Sequence, residues 1–96
     1  MKMLMVICPE ERQKDVREMI DKHDIHSYTE LTNVLGAGET GVHLDTHTWP
    51  GKDVLIFTVI HESKVNELLN ALKEFKAKLY ESEGIRVFAM PCDSLI

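Results

Sequence analysis

The chain has 96 residues, enough for one domain, and its 44% hydrophobic and 28% charged residues exclude a disordered tail. A net charge of −5 at pH 7 removes the basic face that a dedicated nucleic-acid binder needs. No apolar run reaches the roughly 18 residues of a membrane span, so no direct membrane insertion is expected.

Met3–Cys8 (MLMVIC) is short and apolar throughout, which predicts a buried strand. Met1–Cys8 is also too short and too soon interrupted for a signal peptide. Pro9 stops the strand and suits the first turn of a helix, and Glu10 and Glu11 favour the positive end of its dipole. Val16, Met19, Ile20 and His23 share one helical face, predicting a first helix over Pro9–Lys22. His26–Leu35, rich in β-branched and aromatic residues, predicts a second strand, and Asp53–Ile60 (DVLIFTVI) a third. Ser63 is a candidate N-cap for a second helix over Lys64–Ser82, whose stripe is Val65, Leu68, Leu69, Leu72, Phe75 and Leu79. Gly84 is expected to end that helix, and Ile85–Met90 (IRVFAM) predicts a last strand closed by Pro91.

The order β-α-β-β-α-β interleaves most simply as two split β-α-β units. The expected class is α+β, a ferredoxin-like domain spanning residues 1–96, with antiparallel sheet order 4-1-3-2 and both helices on one face.

A half-solvated sheet should alternate apolar and polar residues. These strands do not: Met3, Met5 and Ile7 are as apolar as Leu4, Val6 and Cys8, and Leu55, Phe57 and Val59 as apolar as Val54, Ile56 and Ile60. Two helices cover one face only. The other face is expected to be buried by further copies of the chain, or else partly covered by segment 36–51 folding back. In this layout Cys8 and Cys92 lie at opposite ends of the sheet, beyond bridging range, so both are expected as free thiols in a reducing cytoplasm.

Gly36-Ala37-Gly38-Glu39-Thr40-Gly41 matches G-x-G-x-x-G, but β-branched residues, a proline and another strand follow it, where a dinucleotide fold needs a helix. Two readings stay open for Gly36, Gly38 and Gly41: a backbone path approaching a ligand or neighbouring subunit, or a plain hairpin tip. His43, Asp45 and His47 fall at i, i+2, i+4 and share one side of an extended segment, a donor set for a divalent metal or a solvated face with incidental histidines. His23, His26 and His61 read as edge or structural residues. In Trp49-Pro50-Gly51-Lys52, Pro-Gly signals a type II turn, and Lys52 opens strand three, available to an anion. No nucleophile has a visible base partner, and burial should make Cys8 inert, so an enzyme is not expected.

Tyr28-Thr29-Glu30-Leu31-Thr32-Asn33-Val34-Leu35-Gly36-Ala37-Gly38 resembles the strand of the P-II signal proteins that enters their G-F-G turn. The resemblance extends over nearly the whole chain: a long loop at the place of the family's T-loop, a returning strand, helix two, and a last strand entered by Gly84-Ile85-Arg86-Val87-Phe88. Trp49-Pro50-Gly51-Lys52 also resembles the W-x-G-K of the CutA divalent-cation tolerance proteins. The family's phosphate loop, T-G-x-x-G-D-G-K, is shortened here to Ser82-Glu83-Gly84-Ile85-Arg86, and no basic residue follows Arg86. The loop carries no tyrosine, so uridylylation is not expected. The resemblance implies a homotrimer with inward-facing sheets. A small-molecule effector would sit in clefts between subunits at the base of loop 36–52, and the loop would act on a partner protein, a transporter or an enzyme. Gly36, Gly38, Gly41 and Lys52 would shape that site, with Arg86 as an anion partner. A nucleotide is the cofactor implied by the P-II likeness. A divalent metal on His43, Asp45 and His47 is the one implied by the CutA likeness.

Overall fold

The computed structural model describes residues 1–35, 52–79 and 84–96. Strand β1 (Lys2–Pro9) is followed by a single 3-10 turn (Glu10–Arg12), helix α1 (Gln13–Lys22), strands β2 (Thr29–Leu35) and β3 (Lys52–Ile60), helix α2 (Glu62–Ala77) and strand β4 (Arg86–Pro91). The four strands form one antiparallel sheet in the order β2-β3-β1-β4, which is 4-1-3-2 from the other edge. The α+β ferredoxin-like arrangement expected from the element order is the one observed.

Strand alternation explains where the core lies. Leu4, Val6 and Cys8 of β1 share a face with Val54, Ile56 and Ile60 of β3, because their registers match. All six are buried together with Val16 and Ile20 of α1 and Leu68 and Leu72 of α2, so both helices cover this one face. Among the described residues Thr58 is the buried polar residue of the layer, and its hydroxyl donates to the Ser27 carbonyl at 2.8 Å. The same bond holds 26–28 off the ladder, so β2 starts at Thr29, later than its residue types suggest.

Helix ends differ from the sequence reading in instructive ways. Pro9 is still the last residue of β1, and its extended conformation (φ −63°, ψ 149°) starts only the 3-10 turn, with the α-helix proper beginning at Gln13. Helix α2 starts two residues early because His61, not Ser63, is its N-cap: the His61 ring nitrogen Nδ1 accepts from the Ser63 amide at 3.3 Å. Its last turn closes at Lys78, ahead of Gly84. Helix α1 ends with Asp24 in the left-handed region (φ 58°), and Lys64 Nζ donates to the freed His23 carbonyl at 3.1 Å.

The opposite face of the sheet carries Met3, Met5, Ile7, Leu55 and Phe57, all half-buried within the single chain. Leu31, Val59, Phe88 and Met90 on that face are 40–49% exposed. Among the described residues no element covers this face; segment 36–51, the alternative cover, lies outside the described residues.

Candidate functional site at the loop end of the sheet

Antiparallel order brings the C-terminal ends of β1 and β2 and the N-terminal ends of β3 and β4 to one end of the sheet. Segments 36–51 and 80–83 both attach there. The register places Pro9 beside Asp53, Leu35 beside Lys52 and Ile7 beside Arg86.

Lys52 and Arg86 are both exposed at this end, on β3 and β4, with β1 between them. Arg86 faces the open side with its partner Ile7, whereas Lys52 is in phase with the helix-facing Val54. Two strand spacings sideways and three residues along place their backbones about 14 Å apart. Within one subunit the two cations therefore flank the sheet end and do not converge on one point.

Asp53, next to Lys52 on β3, lies on the open face and is half-buried. Burial pushes its carboxyl above the usual range, the Arg86 charge works against that rise, and Glu11 adds to it. Burial also pushes the Cys8 thiol up to about 11, with the Asp53 and Glu30 charges contributing, so it stays protonated and unreactive at neutral pH. Cys92 is free as well, and its amide donates to the Met1 carbonyl at the far end of the sheet. The two thiols lie at opposite ends, as the strand order required.

A bulge in β2 shapes the entry to segment 36–51. Leu31 pairs with Leu55 and Val34 with Asp53, so β2 uses one residue more than β3 over this stretch. Asn33, at φ 58°, takes up the extra residue. The extra residue puts Val34 on the open face beside Asp53. Asn tolerates left-handed backbone, but no pattern in the sequence marked this position, nor the placement of Asp53.

Gly36, Gly38, Gly41, His43, Asp45 and His47 lie outside the described residues. Among the described residues no group of three or more His, Cys, Asp or Glu side chains is placed to hold a metal ion. His23 bonds the Met19 carbonyl through Nδ1 at 2.9 Å, His61 caps α2, and His26 is exposed near Asp21 and Asp24.

The family model of the nitrogen regulatory protein P-II matches residues 1–96. The chain belongs to the P-II family. Solved structures of similar fold include CPII from Thiomonas intermedia, described as a nitrogen regulatory PII-like protein. Bound to ADP, AMP and acetate, it superposes with a TM-score of 0.73 at 19% identity, over 92% of this chain and 81% of that one. Bound to ADP and bicarbonate it gives a TM-score of 0.72 at 21% identity, over 93% and 82%. A PII-like signalling protein from Thermus thermophilus gives 0.67 at 17% identity, over 93% and 83%. No curated protein sequence matches the chain. The P-II family assignment agrees with the strand order, the loop positions and the four-strand sheet described above.

Proposed function

We propose that this P-II family chain is a homotrimeric cytoplasmic regulator that binds a small effector between subunits and acts on a partner protein through loop 36–52. It works by binding, not by catalysis. The observation that carries the reading is the match of the P-II family model to the whole chain, joined to a sheet face whose large apolar side chains no described element covers. Burying several such side chains, at about 1.5–3 kcal/mol each, is a sufficient drive for association.

In this reading Gly36, Gly38, Gly41 and Lys52 form the loop base, and Arg86 of another subunit supplies an anion contact across the cleft. The separation of Lys52 and Arg86 within one subunit suits a site completed by a second copy. ADP, AMP and bicarbonate, present in the CPII structures, are the first effectors to try. Linkage then demands that the effector prefer one state of the loop. No described helix is long and apolar enough to cross a membrane, and both thiols are free, which suits a reducing cytoplasm.

Light scattering and calorimetry test this. The reading requires a mass three times the 11.0 kDa of the chain and saturable heat with ADP or AMP, alone or with bicarbonate. A particle of single-chain mass overturns the assembly, and absence of heat with all three molecules overturns the effector class.

A further inference from the structure

Among the described strand residues, the open face of the sheet carries two charges, Asp53 of β3 and Arg86 of β4. Both sit at the loop end, and along β1, β3 and β4 the rest of the face is apolar, with Met5, Phe57 and Phe88 at its centre. Asp53 is opposite Pro9 and Arg86 opposite Ile7, so the two are separated by two strand spacings and two residues. That places their backbones about 12 Å apart, a gap that the long arginine side chain narrows. Between them lie Ile7 and Pro9, half-buried and uncharged, and on its other flank Asp53 meets Val34. The Arg86 charge already holds the Asp53 carboxyl down against the rise that burial imposes.

The other described charges around Asp53 are turned elsewhere. Lys52 is in phase with the helix-facing Val54, Glu30 of β2 is held by Arg17 on the helix side, and the Cys8 thiol stays protonated there. Glu11 of the 3-10 turn is exposed and is the smallest of the three influences on Asp53. A cation on a face that loses its water needs a counter-charge. Asp53 supplies one to Arg86 from the same subunit, and an anionic effector that reaches Arg86 has to take over from it.

We propose, resting on the effector reading above, that Asp53 tunes the loop-end cleft by competing with the effector's anionic group for the Arg86 guanidinium. In the empty cleft the guanidinium is balanced by Asp53. With effector bound, Arg86 turns to the incoming anion, and Asp53 is left beside a second negative charge. That repulsion lowers affinity, and it fades as Asp53 takes up a proton, so binding strengthens toward acid pH. Asp53 is thus a positioning residue, acting through Arg86 without touching the effector.

Calorimetry of the native assembly with ADP and with AMP is the test, wild type against Asp53→Asn, which keeps the size of the side chain. The variant is expected to bind about threefold to fivefold more tightly at neutral pH. The ratio of the two affinities is expected to fall toward one as pH drops into the carboxylate range. Asp53→Ser, also neutral, is expected to behave in the same way. Arg86→Gln is expected to weaken binding and to remove the gain, so that Asp53→Asn added to it brings no tightening. Unchanged or weaker binding in both neutral variants overturns the proposal. So does a gain that survives in the Arg86→Gln background, or a ratio that does not move with pH. Each of these results, obtained with saturable heat in the wild type, leaves the effector reading standing. No heat with either nucleotide, in wild type and variants alike, overturns the proposal, and with bicarbonate also silent it overturns the effector reading.

Discussion

Arg17 of α1 holds Glu30 of β2 in two parallel hydrogen bonds, Nε to Oε1 at 2.9 Å and Nη2 to Oε2 at 3.0 Å. Gln13 adds a third donor to Oε2 at 2.9 Å. The fork geometry matches guanidinium to carboxylate, and Glu30 is 18% exposed, so this pair is better shielded than an ordinary surface ion pair. It ties α1 to the edge strand from which segment 36–51 departs.

Glu30→Gln is therefore expected to lower the urea midpoint, and Arg17→Met added on top to cost less than it does in the wild type. Non-additivity in the double-mutant cycle measures the coupling. Strict additivity would show that the two bonds do not stabilise the fold together.

Leu68 of α2 is fully buried among residues of the sheet and both helices. Leu68→Ala should cost about 2–5 kcal/mol, whereas Leu95→Ala at the exposed C-terminal end should stay within about 0.5 kcal/mol. Urea denaturation of the two variants checks the contrast.

The Cys8 thiol sets a pH dependence of stability. Its folded value of about 11 stands above the usual 9.0, because burial disfavours the thiolate and the Asp53 and Glu30 charges add to that. Between those two values the unfolded thiol releases its proton and the folded one keeps it, so rising pH favours unfolding. The contribution is complete below pH 9 and lost by about pH 11, a change of about 2–3 kcal/mol. Cys8→Ala lacks this slope, so the stability gap between wild type and variant should narrow across that window. Iodoacetamide should label Cys92 in the native protein and Cys8 only after unfolding.

Asp53 is raised in the same sense, by burial first. A raised carboxyl favours the folded state at low pH and loses that advantage as pH rises through its folded value. Asp53→Asn removes a half-buried charge and should raise the thermal midpoint at neutral pH, with the gain fading as pH falls into the carboxylate range. Equal gains at both ends would show that the charge is not the cause.

Met5 stands at the centre of the open face, between Phe57 of β3 and Phe88 of β4. Met5→Asp places a carboxylate there. Light scattering should show the particle falling to the mass of one chain, with circular dichroism retaining the helices. An unchanged mass would place the subunit contacts elsewhere.

The sequence alone determined the elements and their chemistry. Apolar spacing located all four strands and both helices, and two-sided apolar strands announced a face in need of cover. The P-II likeness was legible in the strand entering Gly36-Ala37-Gly38, the long loop after it and the last strand from Gly84, because these follow one another in the family's order. Tertiary structure decided the rest. It made His61 the cap of α2, joined Arg17 to Glu30, put Asp53 on the open face within reach of the Arg86 charge, and set Lys52 and Arg86 on either side of β1. The bulge at Asn33 turned Val34 onto the open face. The division has a physical cause: periodicity is a local property, readable one segment at a time. Register, bulges and cross-strand neighbours arise from the hydrogen-bonded ladder, where residues far apart in sequence meet.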